Sequence, residues 1–325
     1  MVAAQIRFNR GSPAPMRSII PFSIPGRFWR GNLHTHSQRS DGGLSPEAVV
    51  AAYRRSGYDF VQLSEHFLER FGWPITDTRA LRSNAFTTLI GAELHAMATS
   101  VGELWHVLAT GLPLDFAPPG VGETGPQLAR RARDAGAFVA IAHPSWSQLI
   151  EADGMALDAA HAVEIYNHGS AVETDRGDGA YLLDRLCNRG RRLSAIAVDD
   201  AHFNYGERDA FGGFVEVKAA SLDPEALLAA LKAGHFYSSQ GPRFHDIRIS
   251  RDELVVETSP VDSVALLTGV SRAPYVVGAD ITRAVFDLAG AATLPTGPGA
   301  WFRIVAIDAA RRRAWTNPIW IDELG

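Results

Sequence analysis

Three short stretches of the sequence carry side chains that could hold a metal ion. His34 and His36 lie in the first, Asp41 in the second, and Asp200 and His202 far downstream in the third. In a β-strand, side chains two residues apart project from the same face, so His34 and His36 could reach one ion. A histidine pair with this spacing also occurs by chance, and only the neighbouring residues can decide between the two interpretations.

These ligand types indicate a particular chemistry. Imidazole and carboxylate together, without thiolate, suit Mn²⁺, Fe²⁺ or Zn²⁺ rather than a thiol-rich structural zinc site. Adjacent ions lower the pKa of a shared water toward neutrality, so hydroxide forms without a strong side-chain base. The same ions stabilise charge that develops on the oxygens of the substrate. The residue types therefore point to a hydrolase.

The elements that would position these side chains alternate between strand and helix. Strand-like segments lie at 33–36, 60–63, 88–90, 106–108, 137–142, 163–165, 193–198 and 236–238. Predicted helices start with Ser45-Pro46, near 125, near 181 and at Asp223-Pro224, where capping residues or helical patterns occur. Repeated strand–helix units with short connections imply parallel pairing, and their number predicts an α/β barrel.

The candidate ligands follow the predicted strands closely. The residues placed at or just past strand ends are His34, His36, His66, Glu93, His143, Asp200 and His202. In β/α barrels the C-terminal ends of the strands build the active site. We therefore expect these side chains in one pocket, whereas histidines that merely pack or cap would be scattered over both ends.

Composition limits the classes of function. The 325 residues are 46% hydrophobic and 21% charged, as in an ordinary soluble globular protein, and the net charge of −5 favours neither nucleic-acid nor acidic-membrane binding. Cys187 is the only cysteine, so no internal disulfide can form, which fits a reducing compartment. No signal peptide and no apolar run of roughly 18 residues is visible. We expect a cytoplasmic protein.

From about His245 the sequence changes character. Its segments are strand-like and separated by turn residues, without long helical periodicity, which predicts a small C-terminal β-sandwich. The predicted organisation is an N-terminal extension at 1–26, a metallohydrolase barrel at 27–245 and the β-sandwich at 246–325.

With these residues in this order, the sequence resembles the PHP (polymerase and histidinol phosphatase) superfamily of metal-dependent phosphoesterases. The resemblance covers roughly residues 27–245. It rests on Leu33-His34-Thr35-His36, Ser40-Asp41-Gly42, Ser64-Glu65-His66, Gly91-Ala92-Glu93, His106, His143-Pro144 and Asp200-Ala201-His202. The resemblance implies a distorted (β/α)7 barrel that holds two to three divalent metal ions.

The resemblance also implies which ion each residue would hold. The first ion would be bound by His34, His36, Glu93 and Asp200. Glu93 would bridge to a second ion bound by His106 and His143, and the third would be bound by Asp41, His66 and His202. One departure is visible: many members have Asp directly before His66, and this chain has Glu65. The metal ligand His66 is kept, and only the residue beside it differs from the family pattern.

Several further residues are candidates for catalysis or ligand support. The candidate catalytic residues are Glu65 and His168; His168 follows a strand on the active face and could protonate a leaving group, or it could simply be solvated. His95 lies close to Glu93 and is more commonly a support than a ligand. Arg39 could bind a phosphate as a fork donor or lie on the surface. His161, His235 and His245 are interpreted as structural.

Aromatic residues follow the ligands and bear on the substrate. Phe67, Trp146, Tyr166 and Phe203 could line a pocket for a nucleotide base or an aryl group, or could support the ligands. The candidate substrate-binding residues are Arg39, Trp146, Tyr166 and Phe203. We expect a small-molecule ester as substrate; the oligomeric state is left open.

Three functions follow from this pattern. Three ions around one oxyanion favour a phosphoesterase. Because cations are few beside the aromatic residues, and because similar members of the superfamily hydrolyse aryl carbamates, carbamate or carboxylic ester hydrolysis is the alternative. A third possibility is a metal-binding domain without catalysis, as in some polymerases. All nine ligand positions are filled, which argues against such decay.

Overall fold

The computed structural model describes residues 15–271, 273–289, 294–295 and 299–324. The helices are α1 (Pro46–Arg55), α2 (Gly125–Asp134), α3 (Glu151–Ala156), α4 (His168–Thr174), α5 (Ala180–Asn188) and α6 (Pro224–Lys232). The strands are β1 (Arg17–Ser18), β2 (Arg27–Asn32), β3 (Phe60–Leu63), β4 (His66–Phe67), β5 (Thr87–Ala96), β6 (Trp105–Thr110), β7 (Phe138–Ile141), β8 (Ala162–Asn167), β9 (Ser194–Val198), β10 (Phe214–Ala219), β11 (Phe236–Ser239), β12 (Phe244–Ile249), β13 (Glu253–Thr268), β14 (Tyr275–Asp287), β15 (Trp301–Ile307), β16 (Arg313–Thr316) and β17 (Ile319–Trp320).

The helices begin where the sequence carries capping residues. Ser45 accepts a hydrogen bond from the backbone N of Ala48 at the start of α1, and Asp223 caps α6 in the same way. Thr124 forms a capping box with Gln127 at the start of α2. A proline in the first turn has no N–H to leave unpaired, so it favours each of these starts.

Seven strands pair in the order β2, β3, β5, β6, β7, β8, β9. The ends of this set meet just beyond β2 and β9, where Thr35 and Ala201 form a parallel bridge. The backbone N of His36 donates to Ala201 O, and that of Asp200 donates to His34 O, both at 2.8 Å. The residues that join the first strand to the last therefore include predicted metal ligands.

Two predictions about these strands are wrong in detail. Strand β6 runs antiparallel to both β5 and β7, although parallel pairing was expected throughout. Only residues 97–104 link β5 to β6. Because two parallel strands need a crossover of a dozen or more residues between them, this short link permits only antiparallel pairing. A strand was expected at 33–36, but strand β2 already ends at Asn32. His34 and His36 therefore lie in the segment after the strand.

The remaining strands extend the sheet away from this set. Strand β10 pairs antiparallel with β2 and with β11, and β11 pairs with β16. Strands β12 to β17 pair only antiparallel, and β1 joins them through β12. The chain is a mixed α/β protein with a large sheet. The predicted division at 245/246 and the β-sandwich stay predictions.

Both faces of the seven-strand set are buried. In β7, Phe138 and Ala140 pack into one hydrophobic cluster, while Val139 and Ile141 pack into another that includes Cys187. Continuous apolar runs are typical of strands covered on both faces. A charged residue within such a strand needs a specific partner, which draws attention to Glu93 and Glu164. No helix in the described part of the chain is long and apolar enough to cross a membrane.

Candidate metal centre

The structure brings the nine predicted ligands together at one end of the seven-strand set. Most follow a strand as expected, but Glu93 lies within β5 rather than after it. His106 is the second residue of β6, and it reaches the same end because β6 runs in the opposite direction. The remaining ligands come from segments that follow β2, β3, β7 and β9.

The first group of ligand atoms surrounds Asp200. Oδ1 of Asp200 lies 3.1 Å from Nε2 of His34 and 3.0 Å from Nε2 of His36. Oε2 of Glu93 lies 3.6 Å and 3.7 Å from the same two nitrogens. Ligand atoms of His34, His36 and Asp200 lie within 4.8 Å of one another, and Glu93 approaches both histidines. These are the four residues that the resemblance assigns to the first ion.

The second group shares Glu93 with the first. Oε1 of Glu93 lies 2.7 Å from Nδ1 of His106 and 3.0 Å from Nε2 of His143. His34, Glu93 and His143 place ligand atoms within 4.8 Å of one another. The two oxygens of one carboxylate therefore face two different groups of histidines.

The third group lies nearer the solvent. The carboxylate of Asp41 is 3.4 Å from Nε2 of His66 and 3.5 Å from Nε2 of His202. The ring of His36 stacks between those of His66 and His202, with centroids 4.2 Å and 4.3 Å away. The side chain of Asp41 is 38% exposed, whereas those of His34, His36 and Glu93 are fully buried. This group forms the open side of the cluster.

His66 and His95 extend the cluster beyond these three groups. Nδ1 of His66 lies 2.6 Å from Oε2 of Glu93 and 3.0 Å from Nε2 of His95. Nε2 of His95 is 3.6 Å from Glu93 Oε2. His95 therefore contacts the ligands. From this position it can bind an ion or hold the ring of His66 in place.

The donor set fits divalent metal ions. In the described part of the chain, the buried atoms Nε2 of His34 and Oε2 of Glu93 have no hydrogen-bond partner. Nε2 of His34 approaches Asp200 closely, and Oε2 of Glu93 lies 2.6 Å from Nδ1 of His66, but neither contact has hydrogen-bond geometry. A buried polar atom left unpaired costs about 1–3 kcal/mol. A cation placed among these nitrogen and oxygen atoms would satisfy them together.

The electrostatics of the cluster agree with this fit. Burial opposes charge on Glu93, but the surrounding histidines outweigh it and hold the pKa of this carboxyl well below its ordinary value. Burial, reinforced by His66 and His202, lowers the pKa of His36 to about 3, so this ring is neutral. Ionised carboxylates and neutral imidazoles are the forms that bind metals. His34, His66 and His143 differ: neighbouring carboxylates overcome their burial and raise their pKa values, that of His66 to about 10. A bound cation would take the place of these protons.

A buried carboxylate that the sequence analysis did not single out holds two ligands in place. Oε1 of Glu164 lies 2.7 Å from Nδ1 of His34. Its Oε2 accepts hydrogen bonds from the backbone N of His143 at 2.6 Å and from Nδ2 of Asn167 at 2.9 Å. The signal was a single carboxylate in the otherwise apolar strand β8. Such a partner fixes the orientation and tautomer of a ligand histidine.

A second unassigned carboxylate shapes the turn that carries Asp200. Asp199 accepts hydrogen bonds from Tyr53 Oη at 2.7 Å and from the backbone N of Phe211 at 2.8 Å. Asp200 itself has a φ of 58°, and His143 has a φ of 21°. Non-glycine residues in this region cost free energy and cluster at functional sites.

The carboxylate of Glu65 accepts hydrogen bonds from the loop that leads to Asp41. Its carboxylate accepts hydrogen bonds from the Ser37 backbone N at 3.1 Å, from Ser37 Oγ at 2.5 Å and from Ser40 Oγ at 2.6 Å. Three donors leave it little capacity to exchange a proton with a substrate. The expected catalytic role does not fit these contacts, and Glu65 is better described as a support for the loop.

Tyr166 and His168 contact each other. The hydroxyl of Tyr166 is 2.9 Å from Nδ1 of His168, and its ring stacks on Trp315 with centroids 6.0 Å apart. A β-bulge between Glu164 and Tyr166 breaks the alternation that would have placed both on one face. In the described part of the chain, His168 forms no contact with the nine ligands, so its role as a proton donor stays a prediction.

The other candidate substrate residues divide into two kinds. Trp146 is 41% exposed, and its ring lies 5.4 Å from that of His106 and 5.0 Å from that of His143. Phe203 is buried against Tyr53, so it offers no open face to a substrate, contrary to expectation. The ring of Phe67 is likewise buried in the core.

Arg39 lines a cavity of about 540 Å³ together with Phe71, Thr76 and Asp77. The ring of Phe71 stacks beside that of His66, with centroids 6.3 Å apart. The cavity therefore opens next to the third group of ligands. Arg39 lines this cavity, and its role in binding a phosphate stays a prediction.

No protein-family model and no curated protein matches the chain. A two-domain protein from Bacteroides vulgatus, containing a predicted PHP-like metal-dependent phosphoesterase, is 15% identical, with a TM-score of 0.48 over 96% of this chain and 100% of the other. A structure from Bifidobacterium adolescentis, described by prediction as a metal-dependent phosphoesterase, is 14% identical, with a TM-score of 0.39 over 53% of this chain and 87% of its own.

An amidohydrolase from Chromobacterium violaceum, with bound sulfate and no metal, is 14% identical, with a TM-score of 0.41 over 53% of this chain and 87% of its own. Two of the three structures are described, by prediction, as metal-dependent phosphoesterases. Because all three TM-scores are below 0.5, the reaction must be inferred from the side chains of the site.

Proposed function

We propose that the protein is a metal-dependent hydrolase of the PHP type, and specifically a phosphoesterase, built on a distorted (β/α)7 barrel. The observation that carries this proposal is the position of Glu93. Its Oε2 faces His34 and His36 at 3.6–3.7 Å, while its Oε1 lies 2.7 Å from His106 and 3.0 Å from His143. A carboxylate shared in this way is suited to bridge two adjacent ions.

The chain's own residues have distinct tasks in this proposal. Divalent Mn, Fe or Zn, two to three ions in number, would polarise the substrate's oxygens and make water acidic enough to react near neutral pH. His34, His36, Glu93 and Asp200 would hold the most buried ion, and Glu164 keeps the ring of His34 oriented. Asp41, His66 and His202 would hold the ion nearest the solvent, where the substrate enters.

The surroundings of the open side favour an ester with an aromatic or otherwise apolar group. Trp146 presents an exposed ring beside His106 and His143. Phe71 flanks His66 at the mouth of the cavity that Arg39 also lines. The ring faces can bind a base or an aryl group, and the guanidinium of Arg39 can form a forked contact with a phosphate.

A second candidate, carbamate or carboxylic ester hydrolysis, is favoured by the scarcity of cations. Among the residues that line the cavity beside His66, Arg39 is the only cation. A neutral aryl carbamate would need no further positive charge beyond the ions. The two candidates differ in how strongly the site should bind a tetrahedral oxyanion.

The test compares two substrates and one inhibitor. We expect metal-loaded protein to hydrolyse p-nitrophenyl phosphate faster than 1-naphthyl N-methylcarbamate, with inorganic phosphate as a competitive inhibitor, because phosphate would occupy the position of the reacting group. Carbamate turnover without phosphate inhibition or phosphoester cleavage would favour the second candidate. Inactivity on every ester at full metal content would favour a non-catalytic metal-binding domain.

A further inference from the structure

A second cavity lies at the other end of the seven-strand set. Its volume is about 620 Å³, and its lining includes His161, directly before β8, and Ser194, the first residue of β9. The metal centre, by contrast, includes Asp200, which follows the C-terminal end of β9. The two sites are therefore separated by the length of the strands. A volume of this size falls in the range of small-molecule sites, about 300–1,000 Å³.

The lining of this cavity is strongly cationic. Five basic residues line it, Arg17, Arg133, Arg191, Arg192 and Lys232, against two acidic residues, Asp158 and Glu323. Both carboxylates already have cationic partners: Asp158 pairs with Arg130, and Glu323 pairs with Arg192. The excess of positive charge is notable because the whole chain carries a net charge of −5.

Three of the polar side chains have N–H groups that are free to donate hydrogen bonds. In the described ranges, no hydrogen bond or ion pair is formed by the guanidinium of Arg133. Lys232 donates one hydrogen bond, to Gly136 O, and an ammonium can donate three. Nδ1 of His161 accepts a hydrogen bond from the Val139 backbone N at 3.0 Å, so the neutral ring carries its proton on Nε2.

These groups also repel one another. Burial, followed by the charges of Arg133 and Lys232, lowers the pKa of His161 to about 4. Burial and the charge of Arg133 likewise lower the pKa of Arg191. Cations close enough to disfavour each other's charge attract a shared anion, which relieves that repulsion.

Part of the cavity wall is apolar. It includes Ile20, which is 53% exposed, and the half-buried Ile319, whereas Trp320 is buried with the guanidinium of Arg192 over its ring. A small inorganic anion would leave this wall uncovered. A molecule that carries both an anionic group and an apolar or aromatic body would use both sides.

We propose that this cavity binds a phosphorylated small molecule of nucleotide size, with its phosphate between Arg133, Lys232 and His161 and its apolar body against Ile20 and Ile319. The site is separate from the metal centre. The proposal does not depend on the reaction proposed above, since none of these residues is a metal ligand.

The test is calorimetric titration of the full chain with AMP, first loaded with metal and then after chelation. Only binding outside the metal centre survives chelation, so we expect one AMP per chain in the chelated protein. Arg133→Ala and Lys232→Ala should each weaken this binding about tenfold or more, as expected for the loss of a charged hydrogen bond to phosphate. Both side chains are exposed, so the variants should fold.

The matched control is Arg54→Ala. Arg54 is an exposed arginine in the last turn of α1, as Arg133 is in the last turn of α2, so both can stabilise the end of a helix. We expect Arg54→Ala to leave AMP binding unchanged, and adenosine, which lacks the phosphate, to bind far more weakly than AMP. The proposal is overturned by a chelated protein that binds no AMP. It is also overturned if Arg133→Ala and Arg54→Ala bind AMP equally, because the cations would then only stabilise helix ends.

Discussion

Nδ1 of His34 lies 2.7 Å from Oε1 of Glu164 at the buried back of the candidate metal centre. The same carboxylate accepts a hydrogen bond from the backbone N of His143, so one side chain positions ligands of two groups. Both His34 and Glu164 are completely buried. An acceptor at Nδ1 leaves Nε2 of His34 free to bind an ion.

Glu164→Gln should therefore weaken metal binding about 10- to 100-fold, the usual cost of losing the partner of a ligand. Glutamine lacks the negative charge, and its NH₂ group would face one of the groups that now donate a hydrogen bond to Glu164. Metal affinity can be measured by calorimetry. Glu216→Gln is the control, because Glu216 is also a buried carboxylate in a strand but pairs with Arg30 away from the cluster. Equal metal affinity in both variants would show that Glu164 does not position the ligands.

Glu65→Gln should loosen the loop that carries Asp41. The amide offers one acceptor oxygen in place of two to the donors on Ser37 and Ser40. We expect occupancy of the solvent-side ion to fall at limiting metal, with affinity about tenfold weaker. Gln38→Ala, in the same loop, removes only an exposed hydrogen bond to Gly43 O and serves as control. An unchanged metal content would mean that the loop holds its shape without Glu65.

Asp41→Ala should remove only the ion nearest the solvent. Asp41 contacts His66 and His202 at 3.4–3.5 Å, and among the described residues it is not part of the buried groups around Glu93. Elemental analysis of the purified variant should find one ion fewer per chain than the wild type, with turnover reduced. If the metal content equals that of the wild type, Asp41 is not a ligand.

The stability of the protein should depend on pH through His161. Burial and two nearby cations lower its pKa to about 4, so the unfolded chain, with an ordinary histidine pKa near 6.5, binds the proton more readily. The neutral ring therefore contributes stability that is present above about pH 6.5 and is lost as the pH falls toward 4. His161→Gln should lose less stability than the wild type over this interval in denaturant titrations. Identical pH dependence would show that His161 does not contribute.

Much of the local structure is predictable from the sequence because its signals are local. The caps at Ser45 and Thr124 mark the starts of α1 and α2, and the apolar run at 60–63 coincides with β3. The gathering of His34, His36, Asp200 and His202 was also predicted, because these residues follow strands whose ends meet.

Features set by long-range pairing escaped prediction. The reversed direction of β6 leaves no local pattern, yet it decides how His106 reaches the cluster. The bulge in β8 turns Tyr166 toward Trp315, although simple alternation places it beside Glu164. Burial of Phe203 depends in part on its contact with Tyr53, which comes from a distant part of the chain.

The position of Glu93 between two groups of histidines is the central observation, and Glu93→Gln tests it most directly. Metal content should be measured by elemental analysis of wild type and variant after equal loading, with circular dichroism to check the fold. We expect the wild type to hold two to three divalent ions per chain. The variant should lose more than one ion and the hydrolytic activity together while it stays folded, because both oxygens of Glu93 face ligand groups. A folded variant that keeps the full metal content and activity would contradict the proposed metal centre.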